Sequence, residues 1–101
     1  MKTIESVGVA KENVIVRTFS DPTGTPPDFA VTSGATEPSS WVAGEWNGSF
    51  DVATSEIPAL TPTMGSAGAL VVAGGSEYDL WVRWTIGVET AVELVGRIRV
   101  T

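Results

Sequence analysis

Apolar and polar side chains alternate strictly along the stretch EYDLWVRWTIGVETAVELVGRIRV near the end of the chain. A period of two is the mark of half-buried strands. It places Tyr78, Leu80, Val82, Trp84 and Ile86 on one face, and Asp79, Trp81, Arg83 and Thr85 on the other. A turn around residues 88–90 is expected to lead into a second strand with Val92, Leu94, Ile98 and Val100 on the matching apolar face. Opposed residues of an antiparallel pair share a face. The register that aligns both apolar sets therefore pairs Ile86 with Val92, Trp84 with Leu94, and Val82 with Gly96, the glycine leaving space for a neighbouring indole. The outer face then pairs Thr85 with Glu93, Arg83 with Val95, Trp81 with Arg97, and Asp79 with Arg99. Arg97 on Trp81 would be a cation–π contact worth about 0.5–1 kcal/mol if exposed.

The rest of the chain reads as short strands between turns, with no apolar stripe at helical spacing. In KENVIVRTF, Val14, Val16 and Thr18 share one face, and Asn13, Ile15 and Arg17 the other. DPTGTPP is a turn, because proline presets φ and glycine admits left-handed conformations. Residues 28–32 form a strand carrying Phe29 and Val31, and the polar stretch SGATEPSS is a loop. WVAGEW follows as a strand or strand-like segment, whose two tryptophans, five apart, point to opposite faces unless Gly44 redirects one. Asn47-Gly48 is a turn dipeptide, with an extended segment over residues 50–54 behind it. The prolines at 58 and 62 argue against a central strand over residues 57–68 and for extended edge structure. Residues 70–73 form a small apolar strand, which Gly74-Gly75 turns into the terminal hairpin. The pattern as a whole predicts an all-β sandwich of about seven antiparallel strands, with residues 1–10 as an N-terminal arm or edge segment and 11–101 as one domain.

Composition narrows the chemistry. The chain has 101 residues, no histidine and no cysteine, and 12 acidic against 6 basic residues, for a net charge of −6. The commonest general base, the commonest transition-metal ligand and the best nucleophile are therefore missing. An acidic balance argues against a nucleic-acid partner, and no apolar run approaches the roughly 20 residues of a membrane span. The opening MKTIESVGVAKEN has no apolar stretch of the kind a secretory leader carries. Asp21, Asp28, Glu37, Glu45, Asp51 and Glu56 lack the order of a calcium loop and read as solvated surface. GTP at residues 24–26 and AGG at 73–75 open no phosphate-binding helix. No catalytic residue, cofactor or metal ligand is expected, and the chain reads as a non-enzyme.

The candidate chemistry is thus a surface. Trp81, Arg83, Arg97 and Arg99 share the outer face of the terminal hairpin, and Trp and Arg are the residues most enriched in interface hot spots. Three of the six basic residues crowd there. This predicts an electrically lopsided molecule that docks a basic patch, anchored by Trp81, on an acidic neighbour.

Several segments, in order, resemble a family of short virion structural proteins of actinobacterial tailed phages and prophages. The resemblance runs through KENVIVRTFSDPTGTPPDFAVT, the W-x-x-x-x-W of WVAGEW, EYDLWVRWT, and the V-x-x-V-G-x-I-x-V of residues 92–100. It covers most of residues 11–101. The turn GVETA lacks the proline-flanked acidic pattern of the family, and residues 51–68 match little. The resemblance implies an immunoglobulin-like sandwich built into the particle as a capsid decoration or head–tail protein. Its partners would be capsid, neck or tail subunits or further copies of itself, and it would be made in the bacterial cytoplasm and located in the virion. A different reading is a carbohydrate- or protein-binding module whose Trp41, Trp46 and Trp81 stack on sugar rings.

Overall fold

The computed structural model describes residues 2–6, 11–33, 37–65, 68–72 and 77–100. Among these there is no helix. The strands are β1 (Lys2–Ser6), β2 (Asn13–Arg17), β3 (Asp28–Thr32), β4 (Val42–Ala43), β5 (Glu45–Trp46), β6 (Glu56–Leu60), β7 (Met64–Gly65), β8 (Leu70–Val71), β9 (Glu77–Ile86) and β10 (Glu89–Val100). They form a five-stranded sheet in the order β1-β10-β9-β3-β4, a three-stranded sheet β2-β6-β5, and a two-stranded ribbon β7-β8. Pairing is antiparallel in both larger sheets except at β1, which runs parallel to β10 along the edge. The all-β expectation holds, with ten strand segments in place of about seven because β4, β5, β7 and β8 are two-residue pieces.

The two larger sheets share one core, as in a β-sandwich. Val14, Val16, Ile57 and Ala59 come from the three-stranded sheet, and Phe29, Leu80, Val82, Trp84 and Ile98 from the five-stranded one. Met64, Leu70 and Val72, in and just after the ribbon, belong to the same cluster. The alternation read in residues 13–18 is present as expected, with Val14, Val16 and Thr18 buried and Asn13, Ile15 and Arg17 exposed. Trp84 lies in the core, and its indole N–H donates to Thr18 Oγ1 at 3.0 Å, tying one sheet to the other. An unpaired indole N–H there would carry the full cost of desolvation.

The chain changes sheets at Gly44. Trp41 precedes β4 in the five-stranded sheet, whereas Trp46 lies in β5 of the three-stranded one and packs against the core. Gly44 donates its backbone N–H to Pro27 O at 2.8 Å. A Cβ at this position would sit 2.6 Å from both Leu60 O and the Phe29 ring, so only glycine passes through the crossing.

Two expectations are overturned in the middle of the chain. Residues 50–54 are not an extended segment. Asp51 and Glu56 form a bridge that closes a tight turn, Ala53 N donates to Asp51 Oδ1, and Ser55 takes φ 58. Pro58 does not bar a central strand either, since β6 is the middle strand of its sheet. The Glu12–Thr61 and Thr18–Ser55 backbone bonds place the hydrogen-bonded pairs of β2 and β6 at even-numbered residues of β2. Ile15↔Pro58 is therefore a non-hydrogen-bonded pair, and the proline nitrogen faces β5. There, pairing ends at Trp46, and Asn47 N still donates to Pro58 O at 2.9 Å. The missing N–H removes a bond only where the ladder is already finishing. The turn expected at Gly74-Gly75 lies outside the described residues.

The terminal hairpin departs furthest from expectation. Its turn is the two residues Gly87-Val88, with Ile86 opposite Glu89 and Gly87 at φ 62. A glycine at the first of two central positions suits the twist of a tight hairpin. The register is therefore Trp84 with Ala91, Val82 with Glu93, and Trp81 with Leu94. It then shifts between Leu94 and Gly96, so that Gly96 faces Leu80, Arg97 faces Asp79, and Arg99 faces Glu77. Trp84 does not oppose Leu94, nor Trp81 Arg97, and Val92 and Leu94 are on the outer face. The extra residue, Val95, is a β-bulge that packs against the core.

Candidate interaction face

The outer face of the five-stranded sheet is built in rows of opposed residues. One row runs Ala30–Trp81–Leu94, and the next Asp28–Arg83–Val92. A third runs Thr32–Asp79–Arg97, and Glu77–Arg99 continues it toward the end of the hairpin. Trp81, Arg83, Arg97 and Arg99 are thus brought onto one face, as the alternation predicts. Trp41 joins them, because the Arg83 guanidinium carbon lies 4.6 Å from the centre of its ring. The cation–π contact is Arg83 on Trp41, not Arg97 on Trp81. Trp81 is half-buried and donates its indole N–H to Thr32 Oγ1 at 2.9 Å. Ala30, small and only 2% exposed, floors the row beside it.

The electrostatics also differ from expectation. Arg83 grips Asp28 Oδ2 with Nη2 at 2.7 Å and Nε at 3.2 Å. Arg99 holds Glu77 Oε1 with Nη2 at 2.7 Å and Nε at 3.1 Å, and Arg97 lies 3.5 Å from Glu77 and 3.8 Å from Asp79. Each of these arginines faces a carboxylate, so among the described residues the face is close to neutral and carries no basic patch. The hydrogen bond from Arg99, then its charge, then that of Arg97 hold the Glu77 carboxyl below the usual glutamate range. The result is an apolar centre of Trp41, Trp81, Leu94 and Val92 within a frame of matched charges. Asp28, Trp41, Glu77, Val92 and Leu94 are the members that the sequence pattern does not place on this face. Which strand would lie beside β9 is a non-local fact, but the glycine at 96 inside a strand is a bulge signal that would have moved Leu94 outward.

Elsewhere the surface offers shallow features. An open cleft of about 410 Å³ is lined by Lys11, Glu45, Thr61 and Thr63, with Lys11 and Glu45 paired across 3.4 Å. A second, of about 270 Å³, borders Ser33, Glu77, Asp79 and Arg97 and has its charges already matched. Among the described residues no group of three or more acidic side chains converges on a common point. No protein-family model matches the chain, and no curated protein or solved structure matches it significantly.

Proposed function

We propose that this chain is a non-enzymatic, immunoglobulin-like structural protein of a phage virion, docking on capsid or head–tail neck subunits through the outer face of its five-stranded sheet. The observation that carries the docking is the set Trp41, Trp81, Leu94 and Val92 on a face whose arginines already hold carboxylates. Such a face buries no unpaired charge when covered, and its aromatic and arginine content is that of an interface centre. The immunoglobulin-like reading is supported by strand order. With β2-β6-β5 taken as strands B-E-D, β10-β9-β3-β4 fall in the places of G-F-C-C′. The virion assignment draws on the ordered resemblance over most of residues 11–101.

The test is incorporation into particles. Trp81 lies outside the core cluster, so Trp81→Ala should stay folded by circular dichroism yet co-purify with virions at a small fraction of the wild-type level. Binding to isolated capsid or neck subunits should change little between 50 and 300 mM salt, since the charges of the face are paired internally. Normal incorporation of the variant removes this face from the interface. Saturable quenching of tryptophan fluorescence by oligosaccharides would instead favour a sugar-binding module, although Arg83 already occupies one side of the Trp41 ring.

A further inference from the structure

The β9–β10 hairpin outruns its neighbours. β1 pairs with β10 only from Gly96 to Val100, and β3 pairs with β9 only from Asp79 to Arg83. Among the described residues, the edge of β10 over residues 89–95 has no strand beside it. Alternate backbone groups along such an edge point outward and seek a partner.

The side chains along this edge are specific. Ala91 opposes Trp84 and Glu93 opposes Val82, so Ala91 and Glu93 stand on the core-facing side of the strand, and Glu93 is nonetheless exposed. Ala91 borders a cavity of about 60 Å³ lined by Phe19, Trp84, Ile86, Glu89 and Thr90. That exceeds the roughly 10–15 Å³ that one water needs by this measure, and the Phe19, Trp84, Ile86 and Ala91 walls suit an aliphatic side chain. Phe19 at its rim is 73% exposed. Neither Glu89 nor Glu93 has an ion-pair partner among the described residues.

We propose that this edge accepts an extended segment of another protein carrying a basic–x–aliphatic–x–basic pattern. The segment adds as a strand beside residues 89–95, seats its aliphatic residue over Ala91 in the cavity, and sets its two cations against Glu89 and Glu93. Residues that face every second position of one strand are themselves two apart in the added strand, whichever way it runs. Main-chain bonds supply affinity and the alternate side chains supply choice, as in other strand-addition complexes. A second copy offering the same edge is disfavoured, because two β10 strands running antiparallel about Ala91 oppose Glu89 to Glu93 twice. Nor does any segment of this chain carry the pattern. The inference concerns a surface separate from the outer face, so its failure leaves the docking reading standing.

The probe is a blocked peptide, Thr-Lys-Thr-Val-Thr-Lys-Thr, titrated into the full chain by NMR. Amide shifts should cluster on residues 89–95. A control of identical composition, Thr-Thr-Lys-Val-Lys-Thr-Thr, turns its cations to the opposite side and should bind at least tenfold more weakly. Glu89→Lys combined with Glu93→Lys should transfer preference to the peptide with glutamate in place of lysine. Equal binding of the two lysine peptides, shifts scattered over the acidic surface, or no binding at millimolar peptide would overturn the proposal. The two lysine peptides decide it on the wild-type chain alone, even if the double variant fails to fold.

Discussion

Replacing Thr18 by valine isolates the bond that ties the sheets together. The two side chains are nearly isosteric, and both Thr18 and Trp84 are only 6% exposed. The change therefore removes the acceptor of the 3.0 Å bond from Trp84 Nε1 and, besides it, only the long 3.4 Å bond that the hydroxyl donates to Ser20 O. The backbone bond from Thr18 N to Ser55 O is kept. A buried donor left without a partner costs about 1–3 kcal/mol. At about 2 kcal/mol, a domain of this size should lose roughly 8–16 °C in Tm. Urea denaturation followed by tryptophan fluorescence gives the free energy directly, and a double-mutant cycle with Trp84→Phe gives its cause. In the phenylalanine background there is no indole N–H to strand, so Thr18→Val should cost less by about 1–3 kcal/mol, leaving only the loss of the long bond to Ser20 O. An equal cost in both backgrounds would show that the threonine acts through packing and its bond to Ser20 O, and not through Trp84.

Gly44→Ala should destabilise by about 1–3 kcal/mol through overpacking, because its Cβ meets the Leu60 carbonyl as well as the Phe29 ring and the backbone cannot step aside; chemical denaturation reads this, and a loss under 0.5 kcal/mol would mean that the sheet crossing is loose. Ser55→Gly should stabilise by up to about 1 kcal/mol, because Ser55 holds φ 58 in a turn where an L-residue is strained, and Ser55→Val should do the reverse. Glu77→Gln should reduce stability at pH 7 but not in acid. The folded carboxyl is held below the ordinary value of 4.5, so its contribution is present above that value and lost as pH falls through the lowered one; a gap between variant and wild type that persists at pH 2 would contradict the ion-pair account.

How far the sequence could be read depended on whether a feature was local. The faces of β2 follow from alternation alone, and so does the placement of Trp84 inside and Trp81 outside, because period two is a property of each strand by itself. The tolerance of Pro58 depends on which side its nitrogen faces and where β5 stops, and neither is written in residues 57–68. The partners of the arginines were invisible for a related reason. Asp28 meets Arg83 only once β3 is known to lie beside β9, and Glu77 meets Arg99 only in the true register of the hairpin.

That register turns on Val95, and the same residue shapes both proposed surfaces. Without a bulge, Val92, Leu94, Ile98 and Val100 would share one face, which is why the even-numbered positions suggested a single apolar stripe. The inserted residue reverses the phase halfway along β10. Beyond it Ile98 still points to the core, whereas before it Leu94 and Val92 turn outward to join Trp81 and Trp41, and Glu93 turns inward beside an edge that no described strand covers. An apolar residue outside and a charged one inside would be two errors in an isolated sandwich. Each makes sense where something else completes the structure: a flat partner over the outer face, and a basic strand along the free edge. Bulges cluster at sheet edges and next to functional sites because they re-aim side chains in this way. Here one bulge sets Val92, Leu94 and Glu93, and all three lie on surfaces that no other described strand covers.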